Sequence, residues 1–293
     1  DGYEVHLSSD GGGDEIPLSV SATTVGSWVP REVVLRSPWL TRCLDAPEGS
    51  TLRRSFRGED MTAKSARWHM PTDCYTLCQV HRVRSEGGCY PHTYELRLDH
   101  SNEVLMRALR EDEQSACRIF ARGVPLERLA EASEQCEDYL GCVTPNFWGT
   151  SFAVNDSGAD LDAFTARCPE ATALPLRQRS ELCTVGYRAN ILGDCPRKVT
   201  VEFERNGTRH VFENIEPRWD KKLNSYALPF FGRVKKASAK NFQLVVNKDP
   251  NTIFLMFGKI SKDVFCLDFR GPIAPLDAMG IAIAAMAKKR AVS

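Results

Sequence analysis

The sequence predicts a mainly β protein, a sandwich or a barrel, together with one apolar C-terminal helix that must be buried. Three observations predict this fold. Short stretches of alternating polar and apolar residues recur along the chain, turn residues separate them, and the last apolar segment is apolar on every face. The length of 293 residues permits one large domain or a medium domain with an appendage.

Residues 1–70 differ in composition from residues 71–293. The run Ser8–Glu15 is rich in Ser, Gly and Asp and is typical of a flexible tether, whereas Ser27–Arg36 carries apolar residues that indicate packing. We therefore expect residues 1–70 to form an N-terminal extension that is partly flexible and lies outside the main domain. Residues 71–293 are expected to form that domain.

From Cys74 onward the pattern is that of strands. The first three predicted strands, Thr76–Val83, Tyr94–Leu98 and Glu103–Arg110, are separated by turn residues and indicate a β-meander. Apolar residues at helical spacing predict a helix within Val124–Leu140, and a short helix is predicted at Ala159–Cys168. Further strands are predicted at Phe147–Val154, Leu182–Tyr187, Arg197–Phe203, Thr208–Phe212, Tyr226–Phe231, Asn241–Val246, Thr252–Phe257 and Val264–Asp268.

The segment Pro275–Ala287 is the exception among these strands. Its one charge, Asp277, lies near the start, where a carboxylate complements the helix dipole. A helix that is apolar all round must be buried, and this one is too short to span a bilayer. Because it is rich in Ala and Gly, its cylinder is slim enough for the inside of a closed barrel. Lys288–Arg290 would mark the point where the chain emerges into water.

Charge and cysteine usage exclude little by themselves. Lys+Arg and Asp+Glu number 38 each, so net charge favours neither a nucleic acid nor a membrane partner. Between Cys195 and Lys262, however, fourteen Lys and Arg residues face six acids, and such an excess attracts phosphates or simply forms a solvated surface. The eleven cysteines include no CxxC pair, which favours reduced thiols in an intracellular protein over a zinc site.

No catalytic pattern stands out. The six histidines show no metal-ligand spacing, and the sequence contains no G-x-S-x-G motif and no phosphate-binding P-loop. Buried structural cysteines are a simpler interpretation than a nucleophilic one. We therefore expect a binding protein, with no enzymatic activity, no metal and no cofactor.

Several segments, in order along residues 74–290, resemble the conserved motifs of the tubby-like family. The segment Asn146–Val154 is similar to the family's N-x-x-G-T-x-F-x-V/I strand, and Val185–Val199 is similar to its Y-x-x-N-V-L-G-x-x-G-P-R-K-M segment. The later matches are Trp219-Asp220, Ser225–Val234, Ala237–Gln243, Phe257–Phe269 and Pro272–Ile283.

The resemblance implies a closed twelve-stranded antiparallel barrel threaded by the C-terminal helix. It also implies a monomeric adaptor that binds phosphoinositides, chiefly phosphatidylinositol 4,5-bisphosphate, at the inner face of the plasma membrane. Family members act in membrane-protein trafficking to cilia together with protein partners, and a transcriptional role has been proposed for some, which adds the nucleus as a location. No specific binding of nucleic acid is expected.

Two departures from the family pattern concern the lipid site. Where animal members have the basic run A-G-R-K-R-K-K, this chain has Ala108–Gln114, in which Arg110 is followed by three acids. The family's G-K-L-R-S-N reads Gly141–Asn146 here, so two more basic positions are lost. A carboxylate near a phosphate weakens binding. The alternative hypothesis is therefore a scaffold or regulatory protein-interaction domain that kept the fold and lost lipid binding.

Arg110 is the ligand residue that the resemblance carries over. From the residues themselves, Arg97 and Arg107 on neighbouring meander strands are candidates to join it, although strand alternation places Arg107 off the face of Arg110. Arg197 and Lys198 match the family's P-R-K and are either structural or ligand-binding. Three solvated arginines on the meander remain the alternative to a converging site.

Overall fold

The computed structural model describes residues 4–7, 75–160, 177–188, 198–205, 207–220 and 225–287. The predicted helix at 159–168 lies, from residue 161, outside these residues, as do 288–290 and most of the N-terminal extension. The strands of the described part are β1 (Glu4–Leu7), β2 (Thr76–Arg84), β3 (His92–Leu98), β4 (Val104–Arg110), β5 (Cys117–Ala121), β6 (Tyr139–Pro145), β7 (Ser151–Asp156), β8 (Glu181–Arg188), β9 (Lys198–Arg205), β10 (Thr208–Asn214), β11 (Arg218–Asp220), β12 (Ser225–Pro229), β13 (Phe242–Val245), β14 (Ile253–Ser261) and β15 (Val264–Phe269), followed by the helix α1 (Pro275–Met286).

Twelve of these strands close an antiparallel barrel. Strands β2 to β10 follow one another around the wall, β13, β14 and β15 continue it, and β15 pairs back onto β2. The closing register runs from Val264 opposite His81 to Phe269 opposite Thr76. The closed twelve-stranded barrel that the resemblance implied is therefore confirmed.

The β9–β10 hairpin shows how the sequence builds this wall. Gly207 has a φ of +72°, the left-handed conformation that a tight two-residue turn requires, and Arg205 pairs with Thr208. Along β9 the buried residues Val199, Val201 and Phe203 alternate with residues that reach solvent. In the sequence, Asn206-Gly207 between two predicted strands is a strong hairpin signal, and the hairpin is confirmed, with its apolar face turned into the barrel.

The helix α1 fills the barrel. Each of its twelve residues is buried, including Asp277. The Asp277 carboxylate accepts a hydrogen bond from the backbone N–H of Ala274 at 3.0 Å. One Nη of Arg205 donates to both of its oxygens at 2.8 Å. Burial of the all-apolar helix, as predicted, is confirmed, and Arg205 compensates its one charge.

A second, smaller sheet lies outside the barrel. It has the order β1–β12–β11, and β1 pairs antiparallel with β12 from Glu4 opposite Pro229 to Leu7 opposite Tyr226. Just after β12, Phe230 and Val234 pack with Met256 of the wall in a cluster that is separate from the barrel interior. Strand β1 belongs to the N-terminal extension, and the domain boundary near residue 70 stays a prediction.

Arg233 ties the chain that follows β12 to the barrel wall. Its Nε and one Nη donate to the two oxygens of Asp268 at 2.7 Å, and the other Nη donates to Asp99 at 2.8 Å. Burial raises the pKa of the fully enclosed Asp268, while the paired guanidinium opposes that shift. Arg233 therefore compensates a charge that the wall would otherwise hold alone.

The helix predicted within Val124–Leu140 is wrong. That stretch contains a single 3-10 turn, Leu126–Arg128, and then runs through turns into β6, which begins at Tyr139. Leu129 is buried against Phe120 and Tyr139 on the outer wall. The apolar residues that suggested a helix therefore belong to a loop that packs on the outer wall. Strands β5 and β6, which the sequence pattern did not reveal, flank this loop.

The fit between helix and wall predicts the effect of adding one methyl group. A Cβ at Gly280 would lie 2.5 Å from Cγ2 of Val154, and the barrel closes around both. We expect Gly280→Ala to lower the free energy of unfolding by about 1–3 kcal/mol in spite of the better helix propensity of Ala. Val154→Ala should relieve the overlap, so that the two changes together cost less than their sum in urea-induced unfolding.

Gly186→Ala is the matched control, because its Cβ would meet nothing closer than the carbonyl oxygen of Thr200 at 3.8 Å. A Gly280→Ala protein as stable as the wild type would contradict the tight packing of α1 against β7.

Candidate functional site

One end of the barrel carries two of the candidate residues, Arg110 and Lys198. Strands β2, β4, β6, β8 and β14 all end there because neighbouring strands are antiparallel, so the turns at 85–91, 111–116, 146–150 and 262–263 lie side by side. The last turn of α1 reaches the same end, since Arg82 donates to the carbonyl oxygen of Met286 at 3.4 Å. We call this surface the helix-exit end.

Arg110 ends β4 at this surface, and its own loop covers it. The residue is 2% exposed. Its Nε donates to the carbonyl oxygen of Asp112 at 3.0 Å and one Nη donates to that of Glu113 at 2.7 Å. The acidic run that replaces the family's basic run therefore folds back over the guanidinium.

Asp112 holds that loop in place. Its Oδ1 accepts the backbone N–H of Gln114 at 2.6 Å and of Ser115 at 2.7 Å. These two hydrogen bonds hold the pKa of Asp112 below its usual range. Asp112, which the sequence alone suggested would repel a phosphate, therefore also organises the turn.

The space left beside Arg110 is small. A cavity of about 10 Å³ lies between the 111–115 turn and the 146–150 turn, and its lining includes Arg110, Glu113, Asn146 and Phe147. Such a volume holds about one water molecule. In this arrangement a phosphate reaches Arg110 only if the acidic turn moves.

Arg97 and Arg107 meet on one carboxylate, away from Arg110. Arg97 donates to Glu95 at 2.5 and 3.2 Å, and Arg107 donates to the same side chain at 2.9 Å. Burial raises the pKa of Glu95, but hydrogen bonds from both arginines outweigh this and hold that pKa below its usual value. Arg107 also donates to the carbonyl oxygens of Arg122 and Val124, so it fastens the loop after β5.

Lys198 begins β9 at the helix-exit end too, opposite Arg188, but five strands round the wall from the strand that carries Arg110. Its ammonium lies 2.8 Å from a carboxylate oxygen of Glu216, and this contact lowers the pKa of Glu216. Arg197 lies outside the described residues. The structure therefore brings Arg97 and Arg107 together, and it places Arg110 and Lys198 apart from that pair.

A larger cavity, of about 630 Å³, lies between the barrel wall and β12. Lys198, Arg188 and Lys248 line it together with Glu213 and Glu216. Apolar groups from Leu228, Phe231 and Ile253 complete the lining. Its volume is that of a small-molecule pocket, and its charges of both signs do not select one class of ligand.

Four of the described cysteines are buried and poor nucleophiles. Burial raises the pKa of the Cys117 thiol to about 12 and also raises the pKa of Cys78, Cys183 and Cys266. Within the described residues, no three His, Cys, Asp or Glu side chains lie close enough to hold a metal ion. No helix in that part of the chain is both long and apolar enough to cross a membrane.

The strand predicted at Phe147–Val154 is wrong at its start. Residues 146–150 form the β6–β7 turn, and β7 begins at Ser151. Asn146 Oδ1 accepts the N–H of Thr150 at 2.9 Å and of Ser151 at 3.1 Å, and Gly149 has a φ of +65°. An Asn followed three residues later by Gly is a turn signal that would have identified this loop.

The Tub family model matches residues 66–208 and 201–288, which span the barrel and its helix. The chain belongs to the tubby family. It is 30% identical over 292 residues to Tubby-related protein 1 of Homo sapiens, a match that covers 89% of this chain and 46% of the relative. It is also 29% identical over 249 residues to Tubby protein homolog 1 of Caenorhabditis elegans, which covers 72% of this chain and 56% of that protein.

The match to Tubby-related protein 3 of Homo sapiens is 28% over 255 residues, or 75% of this chain and 55% of the relative. The chain thus spans about half the length of the curated relatives that it matches. The names of these tubby relatives denote no enzymatic activity. The resemblance noted in the sequence is confirmed, and the barrel is a tubby domain.

The shared carboxylate of the meander predicts a pH-dependent stability. We expect Glu95→Gln to lower the free energy of unfolding at pH 7 by about 1–3 kcal/mol, because the three hydrogen bonds from Arg97 and Arg107 lose their charged acceptor. A carboxylate whose folded pKa is depressed stabilises above its unfolded pKa of about 4.3, and this stabilisation is lost as pH falls through the folded pKa. The difference between the two proteins should therefore shrink in urea unfolding near pH 3.

Glu131→Gln is the control, since Glu131 is 75% exposed and lies 3.8 Å from an equally exposed Arg128. Equal effects of both substitutions at pH 7 would contradict the role assigned to Glu95.

Proposed function

We propose that this tubby domain is an adaptor that binds the headgroup of an inositol phospholipid, with phosphatidylinositol 4,5-bisphosphate favoured, at the inner face of a membrane. Membership of the tubby family over the whole barrel is the observation that carries the proposal. Trafficking of membrane proteins, with the cilium or the nucleus as further locations, is the process in which such an adaptor acts. No catalytic step is involved.

Arg110 is the residue to which the proposal assigns the phosphate contact. Its guanidinium lies at the helix-exit end, beside a cavity, and its hydrogen bonds in this region go to the neutral backbone carbonyls of Asp112 and Glu113. A phosphate is a stronger acceptor for a guanidinium than a carbonyl is, so exchange of partners is favourable if the turn opens. Arg97, Arg107, Arg197 and Lys198 stay predicted ligands.

The second candidate function is a scaffold or protein-interaction domain that kept the tubby fold and lost lipid binding. The observation that favours it is the closed acidic turn over Arg110. In that case the 111–115 turn is a permanent part of the wall, and partners bind elsewhere.

Vesicle sedimentation at fixed salt tests the proposal, because screening alters every charge contact. The wild type should bind phosphatidylcholine vesicles that contain phosphatidylinositol 4,5-bisphosphate more strongly than vesicles without it. Arg110→Ala should reduce this binding by about tenfold or more, since one charge-assisted contact contributes about 1.5–3 kcal/mol. Arg128→Ala is the control at the opposite end of the barrel, where Arg128 is 75% exposed.

A second variant reduces the acidic repulsion, although it removes the 2.8 Å ion pair between Glu111 and Arg118. Glu111→Lys with Glu113→Lys keeps Asp112, which organises the loop, and should strengthen binding. Equal binding by the wild type and Arg110→Ala, with both shown to be folded by urea unfolding, would exclude Arg110 as the ligand. No binding by the wild type and none by the double-lysine variant would favour the scaffold.

A further inference from the structure

The helix-exit end carries an exposed aromatic pair. Phe147 is 70% exposed and Trp148 is 61% exposed. In the described part of the chain, the other exposed large apolar residues are Val83, at the end of β2, and Val211, on the wall. Two adjacent large aromatic side chains in water are unfavourable unless something covers them, because each exposes apolar surface that burial would stabilise.

The turn that presents them is organised and not a loose loop. Asn146 donates from its backbone N–H to the carbonyl oxygen of Ser151 at 2.8 Å, and its own carbonyl accepts the N–H of Gly149 at 3.0 Å. Its side chain adds three further hydrogen bonds to Thr150 and Ser151. The fold therefore holds the two aromatic side chains outward in advance of any partner.

The two rings do not shield each other. Their centroids lie 5.1 Å apart and their planes are inclined by 85°, an edge-to-face contact that leaves most of both rings in solvent. A Trp and a Phe presented together at a tip are suited to the membrane–water interface, where amphipathic rings lie at the level of the lipid headgroups.

The position of the tip indicates the same partner. Asn146, Phe147 and Gly149 line the small cavity that also contains Arg110. A headgroup phosphate held at that cavity would lie in the headgroup layer, so the tip beside it would reach the interface of the same membrane.

The acidic residues near the tip indicate that contact with a lipid surface would need apolar groups as well as cations. Glu111, Asp112 and Glu113 lie in the turn next to the tip, and they repel an anionic surface. Arg82 and Arg84 at the same end are both paired with Asp263. Lys262 in the 262–263 turn is exposed at the same end and attracts an anionic surface, and burial of Phe147 and Trp148 would add a contribution that does not depend on charge.

We propose that Phe147 and Trp148 form a membrane-inserting tip that enters the lipid interface beside the headgroup that binds Arg110 when the 111–115 turn opens. This inference rests on the proposed function and deepens it by naming a second, apolar contact with the same membrane. It also implies that part of the vesicle affinity persists at high salt, because burial of apolar surface is not screened.

The test compares Phe147→Ser/Trp148→Ser with the wild type, with Val211→Ser as the matched exposed apolar control. Binding to vesicles that contain phosphatidylinositol 4,5-bisphosphate should fall by about tenfold or more in the double variant, since two exposed rings no longer enter the interface. Binding of the soluble headgroup inositol 1,4,5-trisphosphate, followed by calorimetry, should be unchanged in Trp148→Ser alone, because Trp148 does not line the cavity beside Arg110. Val211→Ser should behave as the wild type in both assays.

Tryptophan fluorescence with brominated lipids gives an independent reading. The fluorescence of the wild type should be quenched on vesicles, and Trp148→Phe should lose that quenching although four other tryptophans remain.

Two results together would overturn the tip and leave the proposed function standing: the double serine variant binds vesicles as strongly as the wild type, and Trp148 of the wild type is not quenched. Quenching at Trp148 on phosphatidylcholine vesicles, with no preference for the phosphoinositide, would support the tip and count against the proposed function. Absence of any vesicle binding by the wild type would overturn both.

Discussion

Burial of the apolar helix α1 is the constraint on which the rest of the structure depends. Every residue from Pro275 to Met286 is buried, and twelve strands close around them. Gly280 and the neighbouring alanines keep the helix slim, and Val154 approaches where a side chain would otherwise stand. A cylinder of larger side chains would force the wall apart, because protein interiors are packed too densely to absorb extra volume.

Enclosing the helix also encloses charge, and arginine compensates it. Asp277 inside the barrel is paired with Arg205, and Asp268 in the wall is paired with Arg233. The same pairing occurs nearer the surface, where Glu95 holds two arginines. The guanidinium suits these sites because its fork can bond two acceptors at once. In this barrel, therefore, much of the positive charge stabilises the fold, and an abundance of basic residues does not by itself identify a phosphate site.

The helix-exit end combines a covered cation with exposed aromatic rings. Arg110 is bonded to the carbonyls of an acidic turn, whereas Phe147 and Trp148 project from the turn beside it. An ordinary phosphate site exposes its cations and hides its apolar groups. In the function proposed above, the reversed arrangement would separate recognition of a headgroup, which requires the acidic turn to open, from affinity for a lipid surface, which the rings would supply without any rearrangement.

The sequence by itself determined the β architecture, the buried helix, the β9–β10 hairpin and the family, because these depend on local periodicity, on Gly207 and on motifs spread along the chain. It did not reveal β5 and β6, and it placed a helix where Leu126 and Leu129 belong to a loop on the outer wall. It also identified Arg97, Arg107 and Arg110 as candidates without their partners. Only the tertiary structure decided that Arg97 and Arg107 share Glu95 and that the 111–115 turn covers Arg110, because these contacts join side chains across strands and turns, and no pattern within one segment specifies which groups the closed barrel brings within hydrogen-bonding distance.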